Sequence, residues 1–96
     1  MQHPSITDIT HKNIGYITRV VSVTLESLGE LIGVDIEGMK YFMNPPSSPD
    51  KQERWMNIAR KLGGLLKIPE SYVIYHDIEK ENLLPPETIA YLRMTL

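Results

Sequence analysis

Apolar residues recur along this chain at helical spacing, in blocks cut by glycines and prolines. Ile14, Ile17, Val20 and Val21 stand three and four apart, which predicts a first helix from about Thr10 to Ser22. Its β-branched residues are poor helix formers, so packing rather than intrinsic propensity must hold it. Thr24 is a good N-cap for a second helix, LESLGELI, whose Leu25, Leu28, Leu31 and Ile32 fall on one side. Gly33 ends that helix, as a glycine able to take positive φ does. Asp35 caps a third helix, Ile36 to Met43. Asn44 and the run PPSSP stop it, because proline cannot continue the hydrogen-bond ladder and its predecessor avoids the α region.

A fourth helix is predicted from about Asp50 to Leu66. Trp55, Ile58, Ala59, Leu62 and Leu66 form its apolar stripe, with Lys51, Arg54, Arg60 and Lys61 mostly outside. The pair Gly63-Gly64 is a place where it could end early. Pro69 opens a fifth helix, ESYVIYHDIEK; within it SYVIY is the one segment whose tyrosines and β-branched residues also suit a short strand. Pro85-Pro86 marks a further boundary, before a sixth helix in ETIAYLRM. The expectation is an all-α domain of five or six short helices. Residues 1–9 read as a flexible arm, 10–82 as the main domain, and 83–96 as a C-terminal helix with more apolar residues than a monomer's tail needs. That surplus (Leu83, Leu84, Ile89, Tyr91, Leu92, Met94) points to a dimerisation segment.

Composition narrows the function. With 42% apolar and 23% charged residues, the 96-residue chain can fold as one small domain. It has no cysteine, which excludes a disulfide framework or a zinc-thiolate site and suits a reducing cytoplasm. No apolar run approaches the roughly 20 residues that span a bilayer, and MQHPSITDIT lacks the plan of a signal peptide. The net charge of −2 is unevenly distributed. Residues 24–44 carry Lys40 against Glu26, Glu30, Asp35 and Glu37, whereas residues 45–67 carry Lys51, Arg54, Arg60, Lys61 and Lys67 against Asp50 and Glu53. A nucleic-acid binder is usually basic, so this chain has at most one modest segment for that purpose.

The stretch LGELIGVDIEGMKYFMN, residues 28–44, carries the most specific pattern. Two helices crossing through a tight turn need a small residue at the crossing, where Gly29 stands, and a residue tolerant of positive φ in the turn, where Gly33 stands. Leu28, Ile32, Val34, Met39 and Phe42 occupy the offsets that must face the shared core. Followed by the proline loop and RWMNIARKLG, the stretch resembles the lambda-repressor-like (Cro/C1, XRE-type) helix-turn-helix family. IPESYVIYHD is similar to the segment after the fourth helix in its stand-alone members. The resemblance spans about residues 10–80.

It implies a bacterial or phage-type transcriptional regulator, repressor-like, that binds double-stranded operator DNA as a homodimer and needs no cofactor or metal. The helix at 36–43 would lie in the major groove. By position, Ile36, Glu37, Lys40 and Tyr41 would contact bases. Thr24, Asn44, Lys51, Arg54 and Lys12 would contact phosphates. Three departures stand out: Leu25 replaces a frequent glutamine, Gly38 interrupts the reading helix, and Met43 replaces a glutamate that many relatives pair with an arginine of helix 1. The alternative is an antirepressor or modulator that uses the same fold to bind another regulatory protein, which the acidic charge of residues 24–44 favours. His3, His11 and His76 have no metal-site spacing, and Trp55, Tyr72 and Tyr75 suit a core or dimer interface. Asp77 and Glu79 read as solvated charges, without the partnered nucleophile an enzyme would need.

Overall fold

The computed structural model describes residues 5–95, and among these all regular structure is helical. In order come α1 (Ile6–Val21), α2 (Leu25–Leu31), α3 (Ile36–Met43), a 3-10 turn (Pro49–Lys51), α4 (Glu53–Leu66), α5 (Glu70–Tyr75) and α6 (Pro86–Thr95). The all-α expectation therefore holds, and SYVIY is helical rather than a strand. No helix among the described residues is long and apolar enough to cross a membrane.

Three boundaries differ from expectation, the starts of α1 and α4 and the end of α5. α1 begins at Ile6, because the Ser5 hydroxyl accepts a hydrogen bond from the Asp8 N–H at 3.1 Å and so caps it. Residues 6–9, expected in a flexible arm, thus belong to the first helix, and residues 1–4, His3 included, lie outside the described residues. α4 starts at Glu53 after the 3-10 turn, and it passes straight through Gly63-Gly64. Lys67 in the left-handed conformation ends it, donating its N–H to the Gly63 carbonyl. α5 stops at Tyr75 instead of reaching residue 80, because Asn13 captures its C-terminal carbonyls.

Asn13 organises that junction from inside α1. Its Nδ2 donates to the Val73 and His76 carbonyls, both at 2.7 Å, and its Oδ1 accepts from the Ile78 N–H at 3.0 Å. The amide is buried with both ends satisfied, so it fixes the chain reversal after α5 at little desolvation cost.

One core joins the elements. Ile14, Ile17 and Val21 of α1 meet Leu28 of α2, Met39 and Phe42 of α3, and Trp55, Ile58, Ala59, Leu62 and Leu66 of α4. Leu84 and Leu92 belong to the same core, and α6 packs on α1 of its own chain. The apolar surplus of residues 83–96 is therefore largely consumed internally; Tyr91 and Met94 are what it leaves exposed. Trp55 locks α3 to α4, stacking on Phe42 with ring centroids 5.1 Å apart and donating Nε1–H to the Phe42 carbonyl at 2.8 Å.

The α2–α3 pair is built as its glycines suggest. A Cβ on Gly29 would lie 2.4 Å from the Val34 carbonyl oxygen and 2.7 Å from Met39 Cγ, so only glycine allows this approach. Gly33 takes φ +74°, which reverses the chain within the turn. The Val34 N–H then donates to the Gly29 carbonyl at 2.8 Å. Of the five apolar positions expected to face the shared core, Leu28, Met39 and Phe42 are fully buried, while Ile32 and Val34 are half-buried against it.

Candidate nucleic-acid interface

α3 turns Gly38, Met39 and Phe42 inward, which leaves Ile36, Glu37, Lys40 and Tyr41 on the outward side. Asp35 caps the helix, its Oδ1 accepting the Gly38 N–H at 2.8 Å, so the carboxylate is folded back onto its own first turn. Gly38 has a packing reason, since a Cβ there would stand 2.6 Å from Val34 Cγ1. Glu37 and Lys40 are both exposed and face each other at 3.9 Å. Such a pair contributes little to stability and is free to exchange partners. Ile36 is half-exposed.

Tyr41 is held from two directions. Its hydroxyl donates to Gln52 Oε1, and the Gln52 Nε2 donates to the Ser47 carbonyl at 2.6 Å. The Arg54 guanidinium lies over its ring, 4.6 Å from the centroid. The same guanidinium is 3.6 Å from where a Gly38 Cβ would sit, so Arg54 spans from α4 across α3. Gln52, which received no role from the sequence, thus joins the loop after α3 to the outward face of α3. Nothing in the sequence marked it, because its bonds to Tyr41 and Ser47 form only when the loop and α4 fold back over α3.

Of the phosphate candidates, Thr24 caps α2, its Oγ1 accepting the Ser27 N–H at 3.0 Å. Asn44 is exposed at the C-terminal end of α3, and Lys51 is exposed in the 3-10 turn. Neither Lys51 nor Arg54 has an ion-pair partner among the described residues.

Lys12 is set apart from this group. Its Nζ donates to Asp77 Oδ2 at 2.7 Å, at the reversal after α5. That bond, helped by the Lys80 N–H, holds the Asp77 carboxyl below its usual range and raises the Lys12 ammonium above its own. Arg19 makes a matching pair with Glu79 at 2.8 Å, and His76 lies 3.2 Å from Glu81. Asp77 and Glu79, expected as solvated charges, are thus ion-paired to α1. Met43 is half-buried against the core and Arg19 reaches Glu79 instead, so Met43 makes an apolar contact.

Between the α2–α3 turn and α4 lies an open groove of about 420 Å³, lined by Gly33, Val34, Asp35, Arg54, Asn57, Ile58 and Lys61. Compared with protein-family models, curated proteins and solved structures, the chain matches none.

Proposed function

We propose that the chain is a sequence-specific DNA-binding transcriptional regulator of the lambda-repressor-like helix-turn-helix type, with α3 as its reading helix. One observation carries this reading. The glycine-built approach of α2 and α3 leaves Glu37 and Lys40 exposed on the outward face of α3, and Lys51 of the 3-10 turn and Arg54 of α4, with no ion-pair partner among the described residues, stand beside it. A helix so presented fits a major groove, and the neighbouring cations suit the flanking phosphates.

Within this reading Ile36 packs on a thymine methyl, Glu37 accepts from cytosine N4, and Lys40 donates to guanine. Lys51, Arg54, Asn44 and Thr24 hold the backbone. Lys12 drops out, because its charge is already matched by Asp77. Tyr41 acts through its ring and position, since its hydroxyl is committed to Gln52. Regulation follows by occupying operator DNA, with the protein working in the cytoplasm as a homodimer whose recognition helices are spaced about 34 Å apart. Tyr91 and Met94 are the exposed apolar groups left on α6 for such a contact.

The second reading, an antirepressor or modulator that binds another regulator, is favoured by a different observation. Glu37 neutralises Lys40 on the outward face, and the whole chain carries −2. Selection of bound fragments from a genomic library with the purified protein at low salt separates the two. Enrichment of a defined sequence supports the DNA reading. No enrichment at any salt concentration overturns it in favour of the modulator.

A further inference from the structure

The groove between the α2–α3 turn and α4 has little apolar surface, since Ile58 is buried in the core and Val34 is half-buried. What its α4 wall presents is hydrogen-bond donors. Arg54, Asn57 and Lys61 are exposed at intervals of three and four residues, so they share one face of the helix. Asn57 Oδ1 already accepts from Arg60 Nη1 at 2.7 Å, which leaves the amide NH2 as the free end of that side chain. Arg60 itself is turned to Glu70 of α5, 3.6 Å away. Arg54 and Lys61 have no carboxylate in ion-pair range among the described residues. The single acid in the lining, Asp35, folds its Oδ1 back onto the Gly38 N–H. Two cations against that one carboxylate leave the groove positive.

We infer that this groove seats phosphates of the DNA strand that flanks α3 on its α4 side, with Arg54, Asn57 and Lys61 as the donors. The inference rests on the DNA reading and extends it, because Asn57 and Lys61 prolong the track that Lys51 and Arg54 begin. Exposed donors with little apolar surface around them suit an anion that is rich in acceptors. A peptide helix would need apolar ground for its apolar face, and the groove offers almost none. The groove also opens beside the reading helix, since Arg54 lines it and lies over the Tyr41 ring of α3. From Arg54 to Lys61 the wall rises about 10 Å along α4. Charges on one DNA strand recur every ~3.4 Å along the duplex axis, so a wall of this length can meet more than one phosphate.

The test measures how binding of the full chain to the duplex enriched from the genomic library depends on salt. Lys61→Ala is expected to weaken binding to all sequences alike and to lower the salt slope by about 1, whereas Lys61→Arg keeps the slope. Asn57→Asp puts a carboxylate in place of the free donor and is expected to weaken binding about tenfold or more. Lys80→Ala, at the reversal after α5, changes the net charge as Lys61→Ala does and is expected to leave the slope unaltered. Circular dichroism confirms that these surface variants fold. Phosphate ethylation locates the contact: the interference lost in Lys61→Ala should fall on the same strand as that lost in Arg54→Ala, within about three nucleotides. Wild-type binding with an unchanged slope in Lys61→Ala, or an equal fall in Lys80→Ala, overturns the inference and leaves the DNA reading standing. An unchanged slope together with saturable binding of inorganic phosphate at Lys61 overturns it too, assigning the groove to a free anion. No DNA binding by the wild type overturns both readings.

Discussion

On the side of α1 that meets the reversal after α5, charges are matched within the chain: Lys12 with Asp77 and Arg19 with Glu79, while the His76 ring lies beside Glu81. Arg93 adds a bond from its Nε to the Val20 carbonyl at 2.6 Å, tying α6 to the end of α1. Around α3 and the start of α4 the pattern is reversed. Lys51, Arg54 and Lys61 have no acid in range among the described residues, and Glu37 and Lys40 meet only at 3.9 Å. The contrast separates charges that fasten the fold from charges left available. Net charge, which sums both, is a poor guide to binding in a chain this small.

The largest effect is expected where backbone meets backbone. Gly29→Leu forces a side chain against the Val34 carbonyl and should cost about 3 kcal/mol by overpacking. An unchanged denaturation midpoint would rule out the close α2–α3 approach on which the available side depends.

Asn13→Leu tests the fastened side. It leaves the Val73 and His76 carbonyls and the Ile78 N–H without their partner, at an expected cost of about 2–3 kcal/mol. Urea denaturation should show that loss, while DNA affinity of the folded fraction stays unchanged. A parallel fall in affinity would mean that the two sides are not independent.

A smaller effect separates cations of the two sides. Lys51→Ala and Arg54→Ala should each weaken binding to all sequences alike and lower the salt slope by about 1. Lys12→Ala should leave the slope unaltered, because its ammonium is held by Asp77. A shallower slope in Lys12→Ala would return that residue to the interface.

The smallest effect lies in pH dependence. Asp77 has a depressed pKa in the folded chain, so its contribution is present above the unfolded value near 4 and is lost as pH falls through the folded value. Lys12 has a raised pKa, so its part is present below about 10.4 and is lost as pH rises through the folded value. Asp77→Asn should therefore narrow the stability difference between pH 7 and pH 3, read from urea midpoints. An unchanged difference would show that the pair does not form in solution.

The α2–α3 unit was legible because its constraints are local: Thr24, Gly33 and Asp35 act within a few residues of their own positions. Ser5 is equally local, since its cap reaches only Asp8, and it set a helix start that the apolar spacing had placed at Thr10. The end of α5 was not legible, for it depends on Asn13, which is 60 residues from Val73 in sequence. Asn13 does stand at a helical interval between Thr10 and Ile17 on the buried face of α1, a polar residue where only a partnered one survives burial. The same distance hid Lys12, whose acid is 65 residues away. At the candidate interface, residues 36–41 could be placed by periodicity. Gln52 and Arg54 acquire their contacts with Tyr41 only once α4 folds back over α3.

The most direct test of α3 as a reading helix is parallel selection of bound duplexes by the wild-type protein and Glu37→Gln. Glu37 is exposed on the outward face and contributes little to folding, so the exchange alters recognition without unfolding the domain. The expected result is one enriched motif for each protein, the two differing at a single base position in each half-site, with cytosine preferred there by the wild type. Identical motifs, or no enriched motif for either protein, would contradict the assignment of α3 as the helix that reads DNA.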